Sequence, residues 1–168
     1  MAELNREKKA FIFYYSSSST HLNEEKVALR LEELFKSRGV SAEKILLEPK
    51  KKLNLKQQLR MEKKIELKNI IPPLQDADYV VIGSPVVNAF GSSPIVNSFI
   101  RSLPKKDYSK TKVALFSCGI LPGFAIKKMS SLLSLNGVKV SGSQSFTSIF
   151  EFDKKKLGEV DAFFEKII

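Results

Sequence analysis

Residues 78–83 read Asp-Tyr-Val-Val-Ile-Gly and lead directly into Ser84-Pro85. Tyr79 to Ile82 is an unbroken apolar run with no polar residue at alternate positions. It therefore reads as a strand covered on both faces, the kind that sits inside a parallel sheet. Ala10 to Tyr15 (AFIFYY) has the same character. These two runs are expected to pair side by side as parallel strands in the middle of one sheet.

Helical periods separate the apolar runs almost from end to end. Val27, Leu31, Leu34 and Phe35 recur at i, i+4, i+7 and i+8, one face of a helix that Gly39 ends. Lys44 to Leu47 reads as a strand closed by Pro49, followed by a basic excursion and Pro72-Pro73. Beyond Gly83, Ser93 and Pro94 have the chemistry of an N-cap and a first helical residue, with Val96, Phe99, Ile100 and Leu103 on one face. Lys112 to Phe116 (KVALF) is a fourth strand. A helix carrying Ala125, Met129, Leu132 and Leu133 follows and is stopped by Gly137. Val138 to Phe146 is a fifth strand, interrupted by Ser141, Gly142 and Ser143, and Asp153 can cap a last helix bearing Leu157, Val160, Phe164 and Ile167. Five strands alternating with helices predict a doubly wound α/β fold. That is a three-layer sandwich around a five-stranded parallel sheet, with residues 1–168 as one domain.

Composition sets the outer bounds. The chain has 168 residues, 43% hydrophobic and 27% charged, which excludes disorder and collagen. No apolar run approaches the roughly 18 residues that cross a bilayer, and Met1 to Lys9 lacks the apolar core of a signal peptide. A cytoplasmic location is the expectation. Cys118 is the only cysteine and His21 the only histidine. An internal disulfide is thereby excluded, and no cysteine-based metal cluster or structural zinc site is expected. The net charge is +10, and residues 50–68 alone carry eight cations against Glu62 and Glu66, a net of +6.

In open parallel sheets the ligand lies outside the carboxyl ends of the strands. Three loops are placed there: Ser16 to His21, Ser84 to Ser92 (SPVVNAFGS) and Ser117 to Gly123 (SCGILPG). The first holds no glycine, which excludes both a G-x-G-x-x-G dinucleotide fingerprint and a P-loop. The first and third strands end in Tyr15-Ser16 and Ser84-Pro85, without the carboxylates by which a response-regulator receiver holds magnesium. Six residues after Cys118 stands Phe124, where a small tyrosine phosphatase needs arginine. What is left suits a neutral, hydrogen-bonding ligand head with an anionic tail. Hydroxyl and amide donors opening onto a helix start can surround a phosphate without any Lys or Arg. A solvated, capped loop is the alternative reading of the same residues.

Tyr14-Tyr15-Ser16, the run Tyr79-Val80-Val81-Ile82-Gly83-Ser84-Pro85-Val86, the segment Pro94-Ile95-Val96-Asn97-Ser98-Phe99, and Val113-Ala114-Leu115-Phe116 with Pro122-Gly123-Phe124-Ala125 occur in a telling order and spacing. Through most of its length the chain resembles the short flavodoxins and flavodoxin-like proteins of bacteria and archaea. The resemblance implies the strand order 2-1-3-4-5, with FMN at the carboxyl edge of the sheet. By position, Ser16, Ser17, Ser18, Ser19, Thr20 and His21 would hold the phosphate. Pro85 leads into Val86, Val87, Asn88, Ala89, Phe90 and Gly91, which would face the isoalloxazine ring. Cys118, Gly119, Ile120, Leu121, Pro122 and Gly123 would close over its other side. No residue is assigned a catalytic role.

Three functions stay open. The first is FMN-dependent electron transfer, the second an NAD(P)H-dependent FMN or quinone reductase, and the third a flavin-free scaffold acting through its basic surface. The charge suits an acidic redox partner protein. Residues 50–68 hold no aromatic residue to stack on bases, so a solvated connection is preferred there to a nucleic-acid or membrane surface. Cys118 reads as a small buried hydrophobe rather than a nucleophile, since no His or Lys is its neighbour in sequence.

Overall fold

A computed structural model describes residues 6–16, 22–54, 56–57, 64–87, 91–105 and 107–168. Its strands are β1 (Lys9–Tyr14), β2 (Ser41–Leu46), β3 (Tyr79–Val87), β4 (Gly91–Ser92), β5 (Lys112–Gly119) and β6 (Val140–Thr147). Its helices are α1 (Asn23–Ser37), α2 (Pro94–Ser102), α3 (Ala125–Leu135) and α4 (Lys154–Ile167). Five strands pair in parallel in the order β2-β1-β3-β5-β6, which is 2-1-3-4-5 when the parallel strands alone are counted. Ala10 lies opposite Tyr79 and Tyr14 opposite Gly83. The two apolar runs are therefore adjacent and internal, as their lack of a polar face demands.

The sheet differs from the expected five strands in the extent of its strands and in one added strand. Strand β3 does not stop at Gly83 but continues through Ser84, Pro85, Val86 and Val87, because two partners extend the ladder. On one side Ser84 and Pro85 stay in register with Ser117 and Cys118 of β5. At the end, β4 folds back antiparallel and pairs Val86 with Ser92 and Val87 with Gly91. Pro85 is tolerated because it needs no amide donor there. Strand β5 likewise runs on through Cys118 and Gly119. In β6 the Ser141-Gly142-Ser143 interruption becomes a register shift: Val140 and Gly142 oppose the consecutive residues Val113 and Ala114. The Ser141 hydroxyl donates to the Val113 carbonyl at 2.9 Å, so the break in pattern is accommodated within an edge strand.

Two apolar layers flank the sheet. One joins α1 and α4 through Val27, Leu31, Phe35, Val160, Phe163 and Phe164. The other joins α2 and α3 through Val96, Phe99, Ile100, Met129 and Leu133. Aromatic pairs stitch both layers, Phe35 to Phe164 edge-on at 4.9 Å and Phe13 to Phe99 at 4.6 Å. Local signals hold where they were read. Ser93 caps α2 by accepting from the Ile95 amide, and Asp153 caps α4 by accepting from the Lys156 amide.

The basic excursion is not a bare connection. Pro49 bridges Leu67 in antiparallel fashion, the Lys50 amide donates to the Glu66 carbonyl and the Lys68 amide to the Glu48 carbonyl. The Ile65 amide donates to Ser98 Oγ on α2 at 2.9 Å, and Leu53, Ile65 and Leu67 pack against the second core. Its lysines 50, 51, 52, 56, 64 and 68 stay exposed. The described ends of the excursion are thus docked and carry exposed lysines, while residues 55 and 58–63 lie outside the described residues.

Candidate functional site at the carboxyl edge of the sheet

At the carboxyl edge of the sheet, hydrogen bonds just past the strands tie β1 to β3 and β6 to β5. The Tyr15 amide donates to the Gly83 carbonyl, and the Ser148 amide beyond β6 donates to the Gly119 carbonyl. At Gly83 an added Cβ would lie 1.9 Å from the Phe116 ring, and at Gly119 it would lie 2.8 Å from the Val86 side chain. Glycine at these two positions makes room for the Phe116 ring and the Val86 side chain of the neighbouring strand. A buried polar brace ties β3 and β4 to the start of α2. Ser84 Oγ accepts from the Ser93 amide at 2.8 Å and donates to the Pro85 carbonyl at 2.9 Å. Ser92 Oγ donates to Asn97 Oδ1, and Asn97 Nδ2 donates back to the Ser92 carbonyl.

Of the residues expected at the site, Ser16 stands just past β1. Pro85, Val86 and Val87 form the end of β3, and Gly91 opens β4. Cys118 and Gly119 close β5, and Ile120, Leu121, Pro122 and Gly123 form the turn into α3. Ser17, Ser18, Ser19, Thr20, His21, Asn88, Ala89 and Phe90 lie outside the described residues. The structure brings Val86 against Gly119 and sets Pro85 beside Cys118. Cys118 itself is 3% exposed and belongs to the core, its thiol pushed well above the ordinary value by burial and then by the charge of Glu24. It is packing material. Next to it the chain opens outward: Ile120, Leu121 and Phe124 are more than half exposed, and so are Ile149 and Phe150 after β6. These apolar side chains follow the carboxyl ends of β5 and β6, which the Ser148–Gly119 hydrogen bond holds side by side.

One residue at this edge escaped sequence reading. Glu24, in the first turn of α1, is 5% exposed and accepts a hydrogen bond from Ser16 Oγ at 3.0 Å. Burial raises its carboxyl to about 7, opposed by hydrogen bonds from its own backbone amide and from Ser16. In sequence it is one of two adjacent glutamates at a helix start, where carboxylates are ordinarily solvated, and nothing local distinguishes it from Glu25. Asn23 beside it holds the loop after β6: its Nδ2 donates to the Phe150 carbonyl at 3.2 Å and its Oδ1 accepts from the Phe152 amide at 3.0 Å.

Residues 9–149 match the profile of a family described as NADPH-dependent FMN reductase. The chain belongs to that family. No characterised protein matches this family member by sequence. Among solved structures it is similar to rubredoxin oxygen:oxidoreductase from Desulfovibrio gigas, with a TM-score of 0.63 and 17% identity over 96% of this chain and 36% of that one. The chain thus spans about a third of that oxidoreductase. It is also similar to a flavoprotein in complex with FMN from Lactobacillus acidophilus, with a TM-score of 0.59 and 19% identity over 93% and 98% of the two chains. Flavodoxin 1 from Bacillus cereus aligns with a TM-score of 0.61 and 15% identity over 95% and 97%. At such identities these likenesses establish a shared flavodoxin-like fold. Among the described residues of this FMN reductase family member, no helix is long and apolar enough to cross a membrane. Among the same described residues, no group of three or more His, Cys, Asp or Glu could hold a metal ion.

Proposed function

We propose that this chain binds FMN at the carboxyl edge of its sheet and works as an FMN-dependent oxidoreductase that passes electrons from a reduced pyridine nucleotide to an acceptor. The observation that carries the reading is the exposed apolar edge of Ile120, Leu121 and Phe124 beside the Val86–Gly119 contact, in a chain whose family is defined by FMN reduction. The residues present suit each part of the cofactor. Val86, Val87 and residues 120–124 offer an apolar bed for the ring. Ser16 and the uncapped start of α1, where Leu22 supplies no side-chain acceptor, offer donors to the phosphate. When bound, the flavin supplies the redox chemistry. The protein positions it, shields one face from water and sets the electrostatic surroundings.

The family favours the reductase over the pure electron carrier, which is the second reading, with an acidic redox protein as partner for the exposed lysine strap. Spectrophotometric titration with FMN followed by anaerobic NADPH tests both. Binding with rapid bleaching is the expected result. Binding without bleaching supports the carrier, and no binding refutes the flavin reading and leaves a scaffold acting through its surface.

A further inference from the structure

Glu24 is in an unusual position for a carboxylate. The residue is 5% exposed, at the start of α1, and its hydrogen-bond partners are the Ser16 hydroxyl and its own amide. No lysine or arginine among the described residues forms an ion pair with it. The neighbouring charges are engaged elsewhere: Glu25 with Lys44 at 3.7 Å, Lys26 with Glu151. Asn23, a residue type that caps helices, uses both polar atoms on Phe150 and Phe152 instead. The titratable groups that feel Glu24 are Tyr15 past the end of β1 and Cys118 on β5, while Lys156 on α4 lowers Cys118. The carboxyl therefore stands at the helix start with no ion-pair partner among the described residues.

We propose that Glu24 is the specificity-determining residue of the phosphate end of the flavin site, sharing that end with the cofactor's phosphate as a neutral acid whose O–H donates to a phosphate oxygen. The inference rests on the flavin reading above. A phosphate and an ionised carboxylate would compete for the same amides and hydroxyl, and two buried anions in contact repel strongly. Protonation removes the conflict and turns an acceptor into a donor. That its carboxyl titrates at about 7 makes the neutral form readily accessible near neutral pH. The proton balance is one proton taken from solvent per phosphate bound wherever Glu24 is ionised in the ligand-free protein. A flavin without a phosphate makes no such demand.

The test is a fluorescence titration of the whole protein with FMN and with riboflavin, from about pH 7 to about pH 9, where a phosphate monoester of pKa near 6 is already a dianion. In the wild type the Kd for FMN should rise about tenfold per pH unit above about pH 7.5, while that for riboflavin stays level. In Glu24→Gln, which keeps an acceptor for Ser16, the FMN slope should vanish. Calorimetry of the wild type in two buffers of different ionisation enthalpy should count about one proton taken up per FMN at about pH 8.5. This needs no variant to fold. A level FMN profile in the wild type overturns the proposal while leaving FMN binding intact. So does a slope that survives in Glu24→Gln and disappears in His21→Asn, which would assign the proton to the histidine. Failure to bind FMN at every pH refutes the flavin reading itself and this inference with it.

Discussion

Replacing Glu24 by glutamine should stabilise the ligand-free protein at alkaline pH and do so far less in mild acid. The carboxyl titrates at 4.5 when ordinary and at about 7 in the fold, so folding favours its protonated form. A raised acid means that the folded state binds more protons than the unfolded chain between these values, and stability falls as pH climbs through that window. At 1.36 kcal/mol per pH unit the full cost is about 3 kcal/mol, reached above about pH 8 and nearly absent below about pH 4.5. Asp161, whose carboxyl is lowered by its hydrogen bonds from Arg30, works in the opposite sense and below this window. It is common to both proteins and cancels in their difference. Any fixed cost of burying the new amide cancels too when the difference at one pH is subtracted from that at another. Urea denaturation of both proteins at about pH 5 and about pH 8.5 should thus show the advantage of Glu24→Gln growing by about 2–3 kcal/mol, which is several degrees in Tm for a domain of this size. A difference that changes by less than about 0.5 kcal/mol between the two pH values would show that Glu24 is solvated and that the reasoning fails.

Gly83→Ala should cost about 2 kcal/mol or more, because its Cβ would enter the Phe116 ring. Thermal melts should show Phe116→Leu recovering part of that loss in the double variant. Cys118 should resist iodoacetamide at about pH 8 in the native protein and react only on unfolding, since burial holds its thiol protonated. Mass spectrometry after timed alkylation reads this directly. Asn23→Ala leaves the Phe152 amide and the Phe150 carbonyl without their partner and should cost about 1–3 kcal/mol. Faster hydrogen exchange should be confined to the loop after β6. Breaking the half-exposed Arg30–Asp161 pair with Arg30→Ala should cost under about 1 kcal/mol in the same melts.

What the amino-acid sequence determined alone is whatever depends on neighbours a few residues apart. The apolar runs at 10–15 and 79–82 have no polar face, so they had to be central strands. The helical faces of Val96, Phe99, Ile100 and Leu103, or of Ala125, Met129, Leu132 and Leu133, all turn out buried. Caps at Ser93 and Asp153 are equally local, since the side chain reaches an amide two or three residues on. Tertiary structure decided the rest. Ser84 to Val87 became strand rather than loop because Ser117, Cys118, Gly91 and Ser92 supply the missing ladder partners. Residues 64–67 became a docked strap because Ser98 on α2 accepts the Ile65 amide. Asn23 found its acceptor and donor 127 and 129 residues away. Glu24 and Glu25 are the same residue type at adjacent positions on one helix, yet only Glu24 turns inward beneath the end of β1 and beside β5. The free energy of a charged group is set by the solvent it loses, and that loss depends on which distant segments the fold packs over it.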